Sequence, residues 1–281
     1  MTKEENMKRS LKLILGAATC AAVYTAAQLP EKRRPGLARL EGWRYAHRGL
    51  HDLGRGIPEN TLPAFKSAFN SGFGAELDVH LTKDGQLVVI HDSVLKTLCG
   101  VDSVVEDMSY DAIKGLGILG TGCHAPLFEE VLDFCGGVAP LIIELKAYKG
   151  NHDRLCESVA AMLDSYKGDY CIESFDPRVV KWYHDNRPQV IRGQLSANFM
   201  KRGEGAGLNL VERFALSNLQ TNFLTRPDFI AYKYADSNSL PVALSCGLFG
   251  GKEVNWTIDK KCDLEEAEKR GAIAIFERFI P

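Results

Sequence analysis

The 281-residue sequence lacks a C-x-x-C cysteine pair, an excess of charge of either sign and an internal repeat of solenoid period. Its eight cysteines are scattered along the chain, so their spacing indicates neither a zinc module nor a closely spaced disulfide framework. The formal net charge of −2 at pH 7 excludes a general attraction to nucleic acid. We therefore expect no nucleic-acid partner, and an anionic ligand must be held by a local cluster of charge.

Residues 1–40 are predicted to be a separate segment, because their pattern differs from the rest. Basic residues precede an uncharged run, which a charged stretch closes: Lys8, Arg9 and Lys12, then Leu13 to Leu29, then Glu31 to Arg34. A membrane-spanning helix needs about 20 apolar residues, and about 17 at least, so the run is borderline. We predict a hydrophobic N-terminal helix and a basic linker, with membrane anchoring through residues 11–29.

Alternatives to an anchor stay open for this segment. Basic residues flank both ends of the run, so they do not orient it across a membrane. Thr25-Ala26-Ala27 resembles a signal-peptide cleavage site, in which case the remaining chain would be secreted. A lipoprotein signal at Cys20 would need a smaller residue than Thr19 before the cysteine. An ordinary amphipathic helix packed on the domain is a further alternative, although no polar stripe breaks the run.

From residue 41 to residue 281, short apolar runs alternate with helical patterns, which is typical of an α/β domain with a mostly parallel sheet. The predicted strands are 43–46, 75–79, 87–91, 141–145, 170–173, 190–194, 229–232, 254–258 and 272–276. Lys83-Asp84-Gly85 is a turn signal that makes the second and third runs a hairpin. The eight strands that remain, over about 240 residues, predict one (β/α)8 TIM barrel.

Helix signals lie between these strands, and one region is irregular. Helices are predicted from Leu62 to Gly72, at 109–116, 127–135 and 151–166, from Pro177 onward, and at 263–270. The glycine-containing stretch 100–124 is the least regular region of the sequence. It is predicted to be a long loop, forming a short insertion after the hairpin of the second strand rather than a second domain.

Ionisable side chains recur where the predicted strands end. These are His47 and Arg48 after the first strand, Glu76 and Asp78 in the second, His91 at the end of the hairpin, and Glu144 with Lys146 at the next strand. Functional groups of such barrels lie at the C-terminal ends of the strands. The sequence therefore predicts one site that gathers proton carriers, cations and carboxylates, the groups needed for metal-assisted cleavage of a phosphate ester.

The carboxylates of this site have the spacing of metal ligands. Glu76 and Asp78 are two residues apart, so both side chains point to the same face of a strand. Two carboxylates in one space repel each other unless a cation lies between them, and an all-oxygen ligand set favours calcium or magnesium over zinc. Glu144 and Lys146 share that spacing and would add a third carboxylate and a cation. A solvated edge strand is the alternative, but Leu77 and Val79 also need burial.

Two histidines stand out from the others. His47 and His91 each follow an apolar run and adjoin a charged residue, Arg48 or Asp92, which makes them candidate proton carriers. The remaining histidines are expected to be ordinary polar residues: His51, His80, His124, His152 and His184. Trp256 is either part of the core or part of the mouth of the substrate site.

The ordered motifs of the chain resemble those of the glycerophosphodiester phosphodiesterases, over about residues 44 to 281. The matching motifs are His47-Arg48-Gly49, Pro58-Glu59-Asn60-Thr61, Ala64-Phe65, Glu76-Leu77-Asp78-Val79, Thr82-Lys83-Asp84-Gly85, Val89-Ile90-His91-Asp92, Glu144-Leu145-Lys146, Ser174-Phe175 and Trp256-Thr257. The resemblance implies a TIM barrel, one divalent cation, Ca²⁺ or Mg²⁺, and hydrolysis of a glycerophosphodiester to sn-glycerol 3-phosphate and an alcohol, as part of phospholipid-derived glycerol metabolism.

The resemblance also implies a role for each matching residue. His47 and His91 would be the acid and base pair, and Glu76, Asp78 and Glu144 the metal ligands. Arg48 and Lys146 would contact the phosphate. Trp256, if it lies at the mouth of the site, is a further candidate for substrate binding. Two alternatives stay open: a lysophospholipase D that acts on membrane lipid, which the N-terminal apolar run would suit, and a barrel that binds a phosphate ligand without catalysis.

Overall fold

The structure is a computed structural model and describes residues 3–32 and 34–281. The side chains of residues 3–9 and 11 fall outside the described part. Lys8 and Arg9, which precede the proposed anchor, are therefore described only as backbone. Arg33, a residue of the predicted basic linker, lies outside the described residues.

Within residues 3–32 and 34–281, nine strands build one sheet. Their bounds are Arg44–Ala46 (β1), Gly74–Leu81 (β2), Leu87–Val89 (β3), Leu141–Leu145 (β4), Tyr170–Ser174 (β5), Arg192–Ser196 (β6), Phe229–Lys233 (β7), Lys252–Ile258 (β8) and Ile273–Phe276 (β9). Eight of them pair in parallel, in the order β1, β2, β4, β5, β6, β7, β8, β9, and β9 pairs back with β1. The ninth, β3, is antiparallel to β2 and lies outside the ring. The predicted (β/α)8 barrel with its second-strand hairpin is confirmed.

Helices connect the strands. They are Lys3–Ala26 (α1), Leu62–Asn70 (α2), Lys96–Cys99 (α3), Tyr110–Lys114 (α4), Phe128–Cys135 (α5), His152–Leu163 (α6), Pro177–Asn186 (α7), Leu210–Ser217 (α8), Asn222–Thr225 (α9), Leu240–Val242 (α10) and Lys261–Lys269 (α11). The chain continues from α10 into a π-helical segment, Ala243–Leu248. The helices predicted from the sequence correspond to α2, α4, α5, α6, α7 and α11.

The sequence patterns missed α3, α8, α9 and α10. A local signal for α8 does exist, because Asn209 and Glu212 have the spacing of a capping box. The Asn209 side chain accepts a hydrogen bond from the backbone N–H of Glu212 at 3.0 Å, and Glu212 accepts one from the N–H of Asn209 at 2.8 Å. These reciprocal bonds fix where α8 begins.

The N-terminal end of the barrel is closed by the chain that precedes β1. A 3₁₀ turn at Pro35–Arg39 buries Leu37, and Leu40 follows it into the same apolar cluster inside the barrel. The hydroxyl of Tyr45 in β1 donates to the carbonyl of Leu40 at 2.9 Å and holds this segment in the end of the barrel. Polar side chains that enter the barrel therefore gather at the opposite end, where the strands finish.

The insertion after the hairpin is folded, which corrects the expectation of a loop at 100–124. The stretch contains a 3₁₀ turn at Val105–Asp107 and α4, which agrees with the helical pattern at 109–116, and α3 lies just before it. Leu95, Val105 and Ile113 are buried in a cluster of their own against Ile90. The apolar residues of this small core are irregularly spaced, so hydrophobic periodicity does not predict it.

The last residues of the N-terminal helix α1 contact the barrel domain. Its described side chains from Lys12 to Val23 are exposed. The Tyr24 hydroxyl then donates to Asn218 at 2.6 Å, just after α8. Within residues 3–32 and 34–281, no helix combines the length and the apolar content needed to cross a membrane.

Candidate active site

A cavity of about 340 Å³ opens at the C-terminal ends of the barrel strands. Seven of the eight predicted site residues line it: His47, Arg48, Glu76, His91, Glu144, Lys146 and Trp256. The eighth, Asp78, is buried directly behind them with 1% of its surface exposed. The structure thus brings together residues that the sequence spreads over more than two hundred positions.

Three carboxylates form the floor of this site. Asp78 of β2 lies beside Glu144 of β4 in the parallel register, and Glu76 stands two residues before Asp78 on the same face. One oxygen from each of the three lies within 4.8 Å of the others, and all three side chains are buried. An all-oxygen set of this size has the chemistry of a hard divalent cation site.

The charges of the floor support that assignment. Burial, with Asp78 and Glu144 nearby, raises the pKa of Glu76 well above its ordinary value. Burial also raises the pKa of Glu144 to about 7, although Lys146 opposes the shift. Burial opposes ionisation of Asp78 too, but Lys146, His91 and Arg48 outweigh it and hold its pKa far below the usual range. A cation between these oxygens would relieve their repulsion.

A fourth buried carboxylate, Glu173, was missed by sequence reasoning. It lies on β5 in register with Glu144, is 1% exposed, and has one oxygen without a hydrogen-bond partner among the described residues. Burial, together with Glu144 and Asp78, raises its pKa well above the ordinary value. A glutamate near the end of an apolar strand is the signal that singled out Glu144, and it applies equally to Glu173.

Two cationic side chains face the carboxylates. The Lys146 ammonium lies 2.8 Å from Glu144 Oε1 and 3.0 Å from Asp78 Oδ1. The Arg48 guanidinium donates to Glu59 at 2.7 Å, and its Nε lies 3.6 Å from Asp78 Oδ2. Acidic residues therefore hold both cationic groups in place on the cavity wall.

The turn after β1 explains why the motif reads His-Arg-Gly. Arg48 has a φ of 55°, and its backbone N–H donates to Glu76 Oε2 at 3.0 Å. Gly49 has a φ of 77°, and a Cβ there would lie 2.8 Å from the carbonyl carbon of Ala64. Only glycine fits this close approach of the turn to α2.

Each candidate proton carrier is held by a carboxylate. His47 Nδ1 lies 2.8 Å from Glu277 Oε2, and its Nε2 lies 3.9 Å from Glu76. His91 Nδ1 lies 2.7 Å from Asp92 Oδ1. Burial, with Lys146 and Arg48 adding to it, lowers the pKa of His91 to about 4, so this imidazole is neutral at pH 7. Both rings keep Nε2 for a ligand in the cavity.

The structure separates the remaining histidines. His80 is fully buried beneath the site, with Nδ1 2.7 Å from Glu106 and Nε2 3.2 Å from the carbonyl of His91. His51, expected to be an ordinary polar residue, lines the cavity. Burial lowers its pKa as well.

Aromatic side chains form the opposite wall. Trp256 lines the cavity, and its indole N–H donates to the carbonyl of Ala231 at 3.1 Å. The Phe175 ring packs edge-on against it, with 5.4 Å between the ring centroids. Of the two sequence interpretations of Trp256, the one that places it at the mouth of the site agrees with this position.

Comparisons with known proteins agree with the geometry. Residues 47–224 match the model of the glycerophosphoryl diester phosphodiesterase family. A glycerophosphodiester phosphodiesterase of Caldanaerobacter subterraneus is 29% identical over 243 residues, which are 82% of this chain and 91% of that protein. Among solved structures, a protein of Silicibacter pomeroyi described as a glycerophosphoryl diester phosphodiesterase superposes with a TM-score of 0.68 at 22% identity. The superposition covers 86% of this chain and 93% of that one.

A second solved structure adds a ligand. A phosphodiesterase of Oleispira antarctica, in complex with the product sn-glycerol-3-phosphate, superposes with a TM-score of 0.67 at 18% identity. The superposition covers 84% of this chain and 93% of that one. At this identity the likeness supports the fold.

Proposed function

The chain belongs to the glycerophosphoryl diester phosphodiesterase family, and from that premise we propose that it hydrolyses glycerophosphodiesters to sn-glycerol 3-phosphate and an alcohol with the help of a divalent cation. The observation that carries the proposal is the cavity in which two carboxylate-bound histidines, His47 and His91, face a cluster of buried carboxylates. Proton carriers and a cation site in one cavity are what cleavage of a phosphodiester requires.

Glu76, Asp78 and Glu144 would hold the cation. Their buried oxygens lie within 4.8 Å of one another. A ligand set made only of carboxylate oxygens favours Ca²⁺ or Mg²⁺. The bound cation would neutralise charge that grows on the phosphate oxygens. Arg48 and Lys146 line the same cavity and would bind the phosphate as fixed positive charges.

The two histidines would divide the proton transfers. His91 is neutral at pH 7 because its pKa lies near 4, so its free Nε2 can accept a proton from the nucleophile, which is either water or the neighbouring glycerol hydroxyl. His47 lines the same cavity, and the 2.8 Å contact between its Nδ1 and Glu277 leaves its Nε2 for the leaving group. We assign His91 as the base and His47 as the acid that protonates the leaving alkoxide.

A panel of glycerophosphodiesters tests the reaction. The protein is chelated, then supplied with Ca²⁺ or Mg²⁺, and release of sn-glycerol 3-phosphate is measured. We expect turnover with at least one cation, and a loss of about 10²- to 10⁴-fold in His47→Ala and in His91→Ala. Absence of cation-dependent release from every diester would favour the non-catalytic binding barrel and reject the proposal.

We also propose that α1 attaches the barrel to a membrane, with the cleaved and secreted form as the alternative. Leu13, Ile14 and Leu15 are 58–67% exposed, although they are apolar. Flotation of the full chain with liposomes tests this, and Ile14→Lys should reduce the bound fraction. Val138→Lys, at an apolar position 69% exposed on another surface, is the matched control. The mass of the mature N-terminus distinguishes the cleaved form.

A further inference from the structure

One acidic side chain of the active-site cavity, Glu173, has no partner among the described residues. Four other glutamates line the cavity, and each lies within 3.0 Å of a nitrogen of Arg48, Lys146 or His47: Glu59, Glu76, Glu144 and Glu277. Within residues 3–32 and 34–281, no such contact reaches Glu173, and its Oε2 atom is buried without a hydrogen bond. An unpaired buried carboxyl group costs free energy, so a ligand that supplies hydrogen-bond donors would stabilise it.

Glu173 lies at the level of the proposed cation site. It is in register with Glu144 on β4, which is in register with Asp78 on β2. Neighbouring strands are about 4.8 Å apart, so Glu173 stands one strand away from the nearest carboxylate of the floor. Although 1% of its surface is exposed, it lines the cavity and is reached from there. Glu173 is therefore available to a part of the substrate that lies beside the phosphate.

Aromatic rings stand above this carboxyl group. Phe175 follows Glu173 by two residues, the spacing that directs both side chains of a strand to one face, and it lines the same cavity. Its ring packs edge-on against Trp256, with 5.4 Å between the ring centroids. Carboxylates and the faces of aromatic rings both attract organic cations. We refer to Glu173, Phe175 and Trp256 as the acidic-aromatic corner.

The chemistry of the substrate identifies the group that fits the corner. In a glycerophosphodiester the glycerol is uncharged and the phosphate is negative, so a positive charge can only come from the head group. Resting on the function proposed above, we infer that the acidic-aromatic corner binds a head group with a primary ammonium and that Glu173 selects such substrates. Two carbon atoms between the ammonium and the ester oxygen would let it reach one strand beyond the phosphate. A primary ammonium supplies both the charge and the N–H donors that Glu173 lacks.

The charge state of Glu173 agrees with a cationic ligand. Burial, with Glu144 and Asp78 nearby, raises the pKa of Glu173 above its ordinary value in the free protein. An ammonium at hydrogen-bond distance favours the charged carboxylate, whereas an uncharged head group does not. The corner should therefore discriminate between head groups by their charge.

A head-group series tests the inference on the wild-type protein. The substrates are four esters of sn-glycerol 3-phosphate, with 2-aminoethyl, choline, 2-hydroxyethyl and n-propyl head groups, and release of sn-glycerol 3-phosphate is the common readout. We expect kcat/KM for the 2-aminoethyl ester to exceed that for the n-propyl ester about 10- to 100-fold, as a hydrogen bond between charged groups provides. The other two should fall between them, because choline lacks N–H donors and the hydroxyethyl group lacks charge.

A variant shows whether Glu173 is responsible. Glu173→Gln keeps the shape of the side chain and removes its charge, and should lower the ratio of kcat/KM for the 2-aminoethyl over the n-propyl ester at least tenfold. The intrinsic reactivity of the two esters cancels when this ratio is compared between enzymes. Glu129→Gln, at an exposed glutamate, should retain the wild-type ratio. Circular dichroism verifies folding, and the wild-type series decides alone if Glu173→Gln does not fold.

The outcomes separate the two proposals. If the esters are hydrolysed but the wild-type protein does not prefer the 2-aminoethyl ester over the choline and n-propyl esters, the inference is wrong and the proposed function stands. The same holds if Glu173→Gln keeps the wild-type ratio. Loss of the cation-dependent rise in Tm in Glu173→Gln would make Glu173 a cation ligand and also overturn the inference. If no ester is hydrolysed, the proposed function fails and the inference fails with it.

Discussion

The Nδ1 atom of His47, just after the first barrel strand, lies 2.8 Å from a carboxylate oxygen of Glu277, just after the last. Closure of the barrel creates this contact, because β9 pairs with β1 and the N–H of His47 donates to the carbonyl of Phe276. The bond from His47 lowers the pKa of Glu277 to about 2, so the carboxylate stays charged in use. It therefore fixes the ring orientation of His47.

Removing this carboxylate should slow catalysis without unfolding the barrel. We expect kcat/KM to fall about 100-fold in Glu277→Ala and about tenfold in Glu277→Gln, because glutamine keeps an acceptor oxygen but loses the charge. Steady-state kinetics on the best diester measures both. Glu265→Ala, at an exposed glutamate of α11, is the control. Wild-type kcat in the Glu277→Ala enzyme would show that the pair does not position His47.

The protonation of His91 gives a pH prediction. Its pKa of about 4 lies below the ordinary value of about 6.5, so His91 remains neutral until the pH falls toward 4. The ¹⁵N chemical shifts of its imidazole should titrate near pH 4, and His91→Asn assigns the signal. The Asp92 hydrogen bond raises this pKa, so Asp92→Asn should lower the midpoint further. A midpoint near 6.5 would remove the basis for assigning His91 as the base.

Most of the barrel was predictable because its strands are buried on both faces and appear as continuous apolar runs. The sixth strand departs from this pattern because it carries buried polar side chains. The sixth strand begins at Arg192, two residues later than predicted, and carries Arg192 and Gln194 in buried positions. Arg192 donates to the carbonyl of Arg226 at 2.7 Å and lies 3.8 Å from Asp228. These partners come from distant parts of the chain, so hydrophobicity alone misplaced the strand.

The site divides in the same way. His47, Glu76, Asp78 and Glu144 are recognisable because each follows or interrupts an apolar strand at a spacing that sets its direction. Glu277 was missed because its function arises from barrel closure, and no local pattern marks a residue that must reach the first strand. The shape of the molecule beside the site is likewise absent from the sequence, since it depends on how α8, which was not predicted, lies against the loops after β5 and β6.

Cation binding should stabilise the fold as well as support turnover. A ligand at 100 times its Kd adds about 2.7 kcal/mol to the free energy of unfolding, which for a domain of this size corresponds to a rise in Tm of about 5–10 °C. Thermal unfolding of the chelated protein, with and without added Ca²⁺ or Mg²⁺, measures it. Glu76→Gln should lose most of the shift, whereas the exposed control Glu129→Gln should keep it. Equal shifts in both variants would place the cation elsewhere.

His80 should position His91 from below. It is fully buried and joins the insertion to the active site, because one ring nitrogen meets Glu106 and the other meets the carbonyl of His91. In His80→Ala both partners lose a buried hydrogen bond and a cavity opens, so the free energy of unfolding should fall by about 2–4 kcal/mol.

We also expect kcat to fall while KM changes little, since the loop that carries His91 loses its support. His80→Gln, which keeps a donor near the carbonyl, should recover part of kcat. His124→Ala, at an exposed histidine of the same insertion, should change stability by less than about 0.5 kcal/mol. Chemical denaturation and steady-state kinetics on the three variants decide the matter, and a stable His80→Ala enzyme with full kcat would contradict the positioning role.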